Sequence, residues 1–324
     1  MTQDLRQPAL TTPTAGKRVR ILYLAGMPRT GSTVLGHALG CLPDAIFVGE
    51  LNFFWRRFAG RELCSCRRPL PDCPFWAAVV HRAYGDVSPG RAKALAELER
   101  RVLRTQAPLG LAPGRWPVRR ATGIATMLAE RAQLYRAIVE VGGASWIVDA
   151  GKEPVFGSFL ARADDVSLAT VHLVRDPRGV AFSWLKRVRS DSEPGEMPRR
   201  SAAKTAVDWL LQNLMVQLSL QRLSRAYVRV RYEDLVARPA GTVQRISRAT
   251  GLASTGLPTG GLTHRGEYHL VAGNPVVRQL AGSGLTLTLD DEWRTQLPRA
   301  ERWVVTGVCA SMMATYGYPV RAGR

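Results

Sequence analysis

The sequence has 324 residues, of which 46% are hydrophobic, which is enough to bury the core of one large domain. Its 45 Lys and Arg residues outnumber its 26 Asp and Glu residues and give a net charge of +19, yet the charged fraction of 22% is ordinary. These values exclude a disordered or low-complexity chain. The excess positive charge leaves two interpretations open, a solvated basic surface or a surface that binds polyanions.

In chain order, the predicted elements alternate between strands and helices. Short apolar runs predict strands at residues 19–25, 45–48, 145–149, 167–174 and 227–230. Helical spacing of apolar residues predicts helices at residues 32–41, 91–106 and 121–141. This alternation predicts an α/β fold in three layers, with a central parallel sheet covered by helices on both faces.

We expect one domain at residues 19–320, preceded by a disordered N-terminus at residues 1–18. Within the domain, residues 60–77 form a predicted Cys-rich insert and residues 91–142 a helical middle segment. The first twenty residues lack the apolar stretch of a signal peptide, which favours a cytoplasmic location. The uncharged run at residues 303–320 contains Gly and Pro and is barely long enough to cross a bilayer, so it predicts a buried helix rather than a membrane span.

The turn after the first predicted strand has the pattern of a phosphate-binding loop. Gly26 and Gly31 enclose four residues, the P-loop spacing, which lets backbone N–H groups and a helix N-terminus surround an anion. The Lys of a nucleoside triphosphatase is replaced by Ser32, and the loop carries its cation at Arg29 instead. The fold is therefore predicted to be P-loop-like, and an ordinary strand–helix turn with a capping serine is the alternative.

A second basic motif follows the predicted strand at residues 167–174. Arg175 leaves the carboxyl end of this strand, where open α/β sheets bind ligands, and Ser183 lies two turns into the next helix. Together their N–H and hydroxyl donors could hold one phosphate, with Arg187 one turn further on the same face. A structural ion pair between Arg175 and Asp176 is the alternative.

The two motifs together resemble those of sulfotransferases that use 3′-phosphoadenosine 5′-phosphosulfate (PAPS), most closely the tyrosylprotein and heparan types. The resemblance covers roughly residues 21–318 and is thin at residues 79–146. It implies that Arg175, Ser183 and Arg187 bind the 3′-phosphate. It also implies that the loop binds the 5′-phosphosulfate through Arg29, Thr30, Gly31, Ser32 and Thr33.

Two weaker matches extend the resemblance. Tyr232 begins a Tyr-Glu-Asp-Leu segment like that of the family, whose Tyr lies near the nucleotide, although an ordinary helix start is the alternative. Arg278 follows a Gly-Asn-Pro segment that resembles one closing over the co-substrate in many bacterial members. Gly-Asn-Pro is also a common turn sequence.

Sulfuryl transfer to a hydroxyl needs a base for the acceptor proton and positive charge near the leaving oxygen. Glu50 follows the predicted strand at residues 45–48, and a Glu at this spacing is the base in the tyrosylprotein and heparan branches. Lys152 follows the strand at residues 145–149, where related enzymes carry a Lys near the leaving oxygen. The alternatives are a helix-capping role for Glu50 and a solvated position for Lys152.

The resemblance implies a PAPS-dependent O-sulfotransferase that acts by in-line displacement and requires no metal. Its acceptor is a hydroxyl of a sugar, lipid, phenol or peptidyl tyrosine, and no nucleic-acid partner is expected because nucleic-acid motifs are not recognised. The enzymatic alternative is a P-loop kinase that uses ATP and magnesium. The alternative outside enzymes is a polyanion-binding protein built on the positive charge.

Three thiols lie within ten positions of the predicted insert: Cys64, Cys66 and Cys73. Structural zinc normally has four ligands, so Cys41 or His81 would have to complete such a site from outside the insert. We therefore expect reduced, metal-free thiols, with zinc as the open alternative. His269 is one of several histidines that we expect to be isolated and structural.

Overall fold

A five-stranded parallel sheet forms the centre of the computed structural model, which describes residues 18–105, 107, 122–186, 199–254, 268–271 and 288–320. Its strand order is β2-β3-β1-β4-β5. The strands are β1 Val19–Ala25, β2 Ala45–Gly49, β3 Trp146–Lys152, β4 Val166–Val174 and β5 Ala226–Arg231. Apolar runs predict these strands because strands of a covered parallel sheet are buried on both faces.

Helices follow each strand, as the alternation in the sequence predicts. In chain order they are α1 Ser32–Gly40, α2 Phe54–Ala59, α3 Pro74–Tyr84, α4 Pro89–Thr105, α5 Thr122–Gly142, α6 Pro154–Arg162, α7 Pro177–Leu185, α8 Ala202–Leu218, α9 Leu220–Leu223, α10 Tyr232–Ala237, α11 Pro239–Thr250, α12 Trp293–Gln296 and α13 Arg299–Thr315. Short 3₁₀ turns occupy Leu51–Phe53 and Leu70–Asp72. Of the predicted disordered N-terminus at residues 1–18, residues 1–17 lie outside the described part of the chain.

Alternate residues of β1 face two separate cores. Ile21 and Tyr23 pack in one core with side chains of α5 and α6, whereas Leu22 and Leu24 pack in the other with side chains of α1 and α11. Successive strand residues point to opposite faces, so helices cover both faces of the sheet. The predicted three-layer α/β fold is confirmed.

The C-terminal helix α13 is buried on one side only. Val305, Cys309 and Met312 are buried against α8 and α7, but Trp303 is 64% and Val304 44% exposed. The predicted C-terminal helix is therefore present, but only one of its faces is buried, because α13 lies at the surface and turns that face inward. Across the described part of the chain, no helix combines the length and the apolar character needed to cross a bilayer.

Candidate active site

The loop between β1 and α1 is held in a tight conformation that needs its glycines. Gly26 has φ +137° and Gly31 has φ +86°, backbone conformations that residues other than glycine rarely adopt. A Cβ at Gly26 would lie 2.3 Å from the carbonyl oxygen of Leu173. The hydroxyl of Thr30 donates to the carbonyl of Met27 at 2.8 Å and closes the turn. The loop therefore leads into the N-terminus of α1 with no side chain at Gly26 or Gly31 to cover its backbone. Such a turn can surround an anion with backbone N–H groups.

Arg29 extends from this loop towards α7. Its backbone has φ +72°, and its guanidinium carbon lies 5.1 Å from the centre of the Trp184 ring. Burial lowers the pKa of Arg29. The loop cation is therefore placed beside the residue that follows Ser183.

Arg175 connects the end of β4 to the loop between β1 and α1. It donates to the carbonyl of Arg29 at 3.2 Å, and its guanidinium carbon lies 4.5 Å from the centre of the Tyr232 ring. The Tyr232 ring also lies against the loop, because a Cβ at Gly31 would be 2.7 Å from it. The two sequence motifs that resemble phosphate sites therefore meet at the carboxyl edge of the sheet.

The carboxylate beside Arg175 is not its neighbour in sequence. Asp176 accepts from the backbone N–H of Arg178 at 2.9 Å and pairs with the Arg178 guanidinium at 2.6 Å. Arg175 instead pairs with Asp290 at 3.0 Å, and Lys186 pairs with the same carboxylate at 3.3 Å. Burial alone would raise the pKa of Asp290, but Arg175 and Lys186 hold that pKa below its ordinary value. The alternative of an Arg175–Asp176 pair is wrong.

Ser183 lies on the side of α7 that Arg175 approaches. A Cβ at Gly179 would lie 3.1 Å from Nε of Arg175, and Ser183 is one turn beyond Gly179 on the same helix. Positions 179 and 183 share one face of the helix, so Ser183 lies on the face that Arg175 approaches, and its role at a phosphate stays a prediction. Arg187 and Arg278 lie outside the described residues.

Glu50 and Lys152 form an ion pair between the ends of β2 and β3. Their side chains are only 17% and 11% exposed. Lys152 is paired in register with Ala25, the residue before the loop between β1 and α1. Among the described residues Glu50 makes no side-chain cap to the helix that follows it, so the capping alternative is wrong. The buried setting of Lys152 likewise excludes a solvated position.

Beneath this pair lies a carboxylate that sequence reasoning missed. Asp149 is fully buried and accepts hydrogen bonds from Tyr135 at 2.6 Å, from the N–H of Leu51 at 3.3 Å and from the N–H of Gly151 at 2.9 Å. Burial raises the pKa of Asp149 to about 6. Since Leu51 follows Glu50 and Gly151 precedes Lys152, Asp149 holds together the two turns that carry the pair. The sequence did carry a signal for Asp149, because it is a charged residue within a predicted strand that is otherwise largely apolar.

A cavity of about 770 Å³ is lined by residues that closely follow Glu50 and Lys152 in the sequence. Asn52 and Phe53 line it on the side of Glu50, and Glu153 and Val155 line it on the side of Lys152. Its far wall is formed by α4, whose lining residues include Ala96 and Leu103 but also several Arg and Glu side chains. The cavity can hold a molecule with an apolar body beside the ion pair.

The described residues also contain a cluster of potential metal ligands: Cys64, Cys66, Cys73 and His269. The ligand atoms of these four side chains all lie within 4.8 Å of one another. The expectation that His269 is isolated is therefore wrong. Neither Cys41 nor His81 belongs to the cluster, so the sequence indicated the three thiols but not the fourth ligand.

A model of the sulfotransferase family matches residues 167–255, which include Arg175, Ser183 and Tyr232. The fold is similar to that of the sulfotransferase domain of the Synechococcus PCC 7002 olefin synthase, with 18% identity, a TM-score of 0.53 and coverage of 95% of this chain and 98% of that chain. A sulfotransferase domain from the curacin biosynthetic pathway has 16% identity and a TM-score of 0.52, covering 93% of this chain and 98% of that chain. Among curated proteins, none matches the sequence. The resemblance to the sulfotransferase family is confirmed.

Proposed function

We propose that this sulfotransferase-like chain transfers a sulfuryl group from PAPS to a hydroxyl acceptor by in-line displacement. The observation that carries the proposal is the 3.2 Å hydrogen bond from Arg175 to the carbonyl of Arg29. This bond joins the anion cradle to a second phosphate-binding cation. A nucleotide with anionic groups at both its 5′ and 3′ positions fits two such adjacent sites.

The 5′-phosphosulfate is proposed to bind at the loop. Backbone N–H groups at the start of α1 face it, and the positive end of the helix dipole favours its charge. The proposed ligands are Arg29, Thr30, Gly31, Ser32 and Thr33.

The 3′-phosphate is proposed to bind Arg175 and Ser183, with Arg187 as a further ligand. It would compete with Asp290 for the N–H donors of Arg175, because the carboxylate already pairs with that guanidinium. Tyr232 supports Arg175 from below through a cation–π contact. Arg278 is proposed to close over the nucleotide.

In the proposed reaction, Glu50 accepts the proton of the acceptor hydroxyl as the new oxygen–sulfur bond forms. The sulfur–oxygen bond to the 5′-phosphate breaks, and adenosine 3′,5′-bisphosphate leaves. Lys152 stabilises the charge that develops on the leaving oxygen. The contact between Glu50 and Lys152 supports these roles because it holds the base and the cation at one place beside the loop.

The cavity beside the pair is proposed to bind the acceptor. Phe53, Ala96, Leu103 and Val155 give it apolar walls, which favour an acceptor with an apolar body, such as a phenol or a lipid. Asn52 and Glu153, which line the cavity, each lie within two positions of a member of the pair. We therefore place the acceptor hydroxyl on this side of the cavity, towards Glu50.

The donor assignment is tested by thermal stabilisation. Adenosine 3′,5′-bisphosphate should raise Tm more than adenosine 5′-monophosphate at equal concentration, because only the former offers a 3′-phosphate. Arg175→Ala should weaken bisphosphate binding by about 1.5–3 kcal/mol, roughly ten- to hundredfold. Arg82→Ala is the control, since Arg82 is 62% exposed and pairs with Glu140 of α5, which is not among the proposed ligands of the nucleotide. Equal shifts by the two nucleotides, or a larger shift by ATP with magnesium, would contradict the proposal.

A further inference from the structure

The cluster in the Cys-rich insert has the dimensions of a tetrahedral metal site. The sulfur of Cys73 lies 3.6 Å from that of Cys66 and 3.7 Å from that of Cys64, and Nδ1 of His269 lies 3.3 Å from Cys73 and 4.0 Å from Cys64. Tetrahedral zinc, with Zn–S of about 2.3 Å and Zn–N of about 2.0 Å, separates its ligand atoms by about 3.5–3.8 Å. The ligand spacing therefore matches one bound zinc ion.

Local structure brings the first two thiols to this point. Leu63 and Pro69 form an isolated antiparallel bridge, and the N–H of Cys64 donates to the carbonyl of Arg68 at 2.9 Å. Within this turn Arg67 has φ +67°, which reverses the chain directly after Cys66. Cys64 and Cys66 therefore both lie in one tight turn, as the paired cysteines of many zinc-binding loops do.

The other two ligands come from separate elements. Cys73 immediately precedes α3, where the N-terminal end of the helix favours a thiolate. His269 belongs to the segment at residues 268–271, which the hydroxyl of Ser65 joins to the insert by donating to the carbonyl of Tyr268 at 2.5 Å and accepting from Leu270 at 2.8 Å. The His269 ring stacks on Phe75 at 5.3 Å, which fixes its orientation. The ligands are positioned by neighbours that are not themselves ligands.

We propose that Cys64, Cys66, Cys73 and His269 bind one zinc ion in a closed structural site. Three thiolates and an imidazole suit zinc, and four protein ligands leave no position for substrate. Binding releases the thiol protons and forms four metal–ligand bonds. The incomplete ligand set, which favoured metal-free thiols in the sequence, is completed by His269.

The proposed zinc site would also hold the segment at residues 268–271, which is hydrogen-bonded to the backbone at Glu50. Two residues after His269, the N–H of Val271 donates to the carbonyl of Val48 at 2.9 Å, and the N–H of Glu50 donates to the carbonyl of Val271 at 2.7 Å. Zinc would therefore connect the insert to the backbone that carries Glu50. This consequence for activity rests on the proposed function, whereas the metal site does not.

Metal analysis of protein purified without added zinc tests the proposal directly. We expect about one zinc per chain in the wild type and its loss in Cys66→Ser and in His269→Ala. Cys309→Ser is the matched control, because Cys309 is buried but lies on α13 outside the cluster. Retention of zinc in both ligand variants, or a wild type that neither contains zinc nor binds added zinc, would overturn the proposal.

A second experiment guards against variants that fail to fold. His269→Cys should keep the metal, because it replaces one zinc ligand by another. In cobalt-substituted protein it should strengthen the thiolate-to-metal charge-transfer absorption relative to the wild type, since four thiolates then bind instead of three. An unchanged cobalt spectrum would show that His269 is not a ligand. Failure of the donor-binding experiment would leave both metal results standing, so the two proposals fail separately.

Discussion

Glu50 and Lys152 are separated by about a hundred positions in the sequence but contact each other at the ends of adjacent strands. Each side chain is mostly buried, so each needs the other as a partner. The pair lies at the carboxyl ends of β2 and β3, the sheet edge at which the loop between β1 and α1 also begins. At the residue scale, the roles of the pair and of Asp149 below it can be separated by substitution.

Glu50→Gln should reduce turnover by about 10² to 10⁴, the usual contribution of a positioned general base. Gln retains the size and a carbonyl that can accept from Lys152, so binding of adenosine 3′,5′-bisphosphate and Tm should change little. Steady-state turnover and a binding titration provide the two measurements. Near-full activity in a stably folded variant would show that Glu50 is not the base.

Asp149→Asn should remove a pH dependence of stability. Burial raises the pKa of Asp149 in the folded protein to about 6, so the folded state holds the proton more tightly than the unfolded state. The stability contribution of the group is present below about pH 4, falls as pH rises towards 6, and is constant above that range, with a total change of at most about 3 kcal/mol.

Urea unfolding of wild type and Asp149→Asn between pH 4 and pH 8 measures this difference. The free energy of unfolding of the wild type relative to the variant should fall between pH 4 and 6 and then become flat. Parallel curves across the whole range would contradict the raised pKa. Tyr135→Phe is a useful companion, because it removes only the hydroxyl that donates to Asp149.

At the scale of elements, two glycines differ in whether their position tolerates a side chain. Gly31 precedes α1 with φ +86°, and a Cβ there would lie 2.7 Å from the Tyr232 ring. Gly307 lies within α13, and a Cβ there would meet nothing within 4 Å. The first is needed for the loop conformation, and the second only lowers the helix propensity of α13.

Gly31→Ala should therefore lower stability and weaken bisphosphate binding, because it strains the backbone and displaces Tyr232 from beneath Arg175. Gly307→Ala should instead raise the free energy of unfolding by about 0.5–1 kcal/mol, the helix preference of Ala over Gly. Denaturant unfolding compares both with the wild type. If Gly31→Ala behaves like Gly307→Ala, the loop does not require its left-handed residue.

At the scale of the whole molecule, the parallel topology gathers the site. The carboxyl ends of β1, β2, β3 and β4 carry, respectively, the loop, Glu50, Lys152 and Arg175. Because all strands run the same way, these four positions reach one edge of the sheet. The segment at residues 268–271 and Asp290 then approach this edge from the C-terminal half of the chain.

The sequence alone determined the features that depend on local pattern. β1 was predicted with the bounds Val19–Ala25 because an apolar β-branched run in a covered sheet is recognisable without its neighbours. Gly26 and Gly31 were identified because a tight turn at a helix N-terminus needs residues without side chains. Arg175 was placed at a strand end because apolar burial stops there.

Tertiary structure decided which distant side chains meet. Asp290 rather than Asp176 pairs with Arg175, and His269 rather than Cys41 or His81 joins the thiols, across separations of 115 and about 200 positions. The exposed face of α13 was likewise set by its position at the surface. Periodicity and spacing report the local backbone and its burial, whereas such contacts depend on how packed elements are oriented relative to one another, which no short segment encodes.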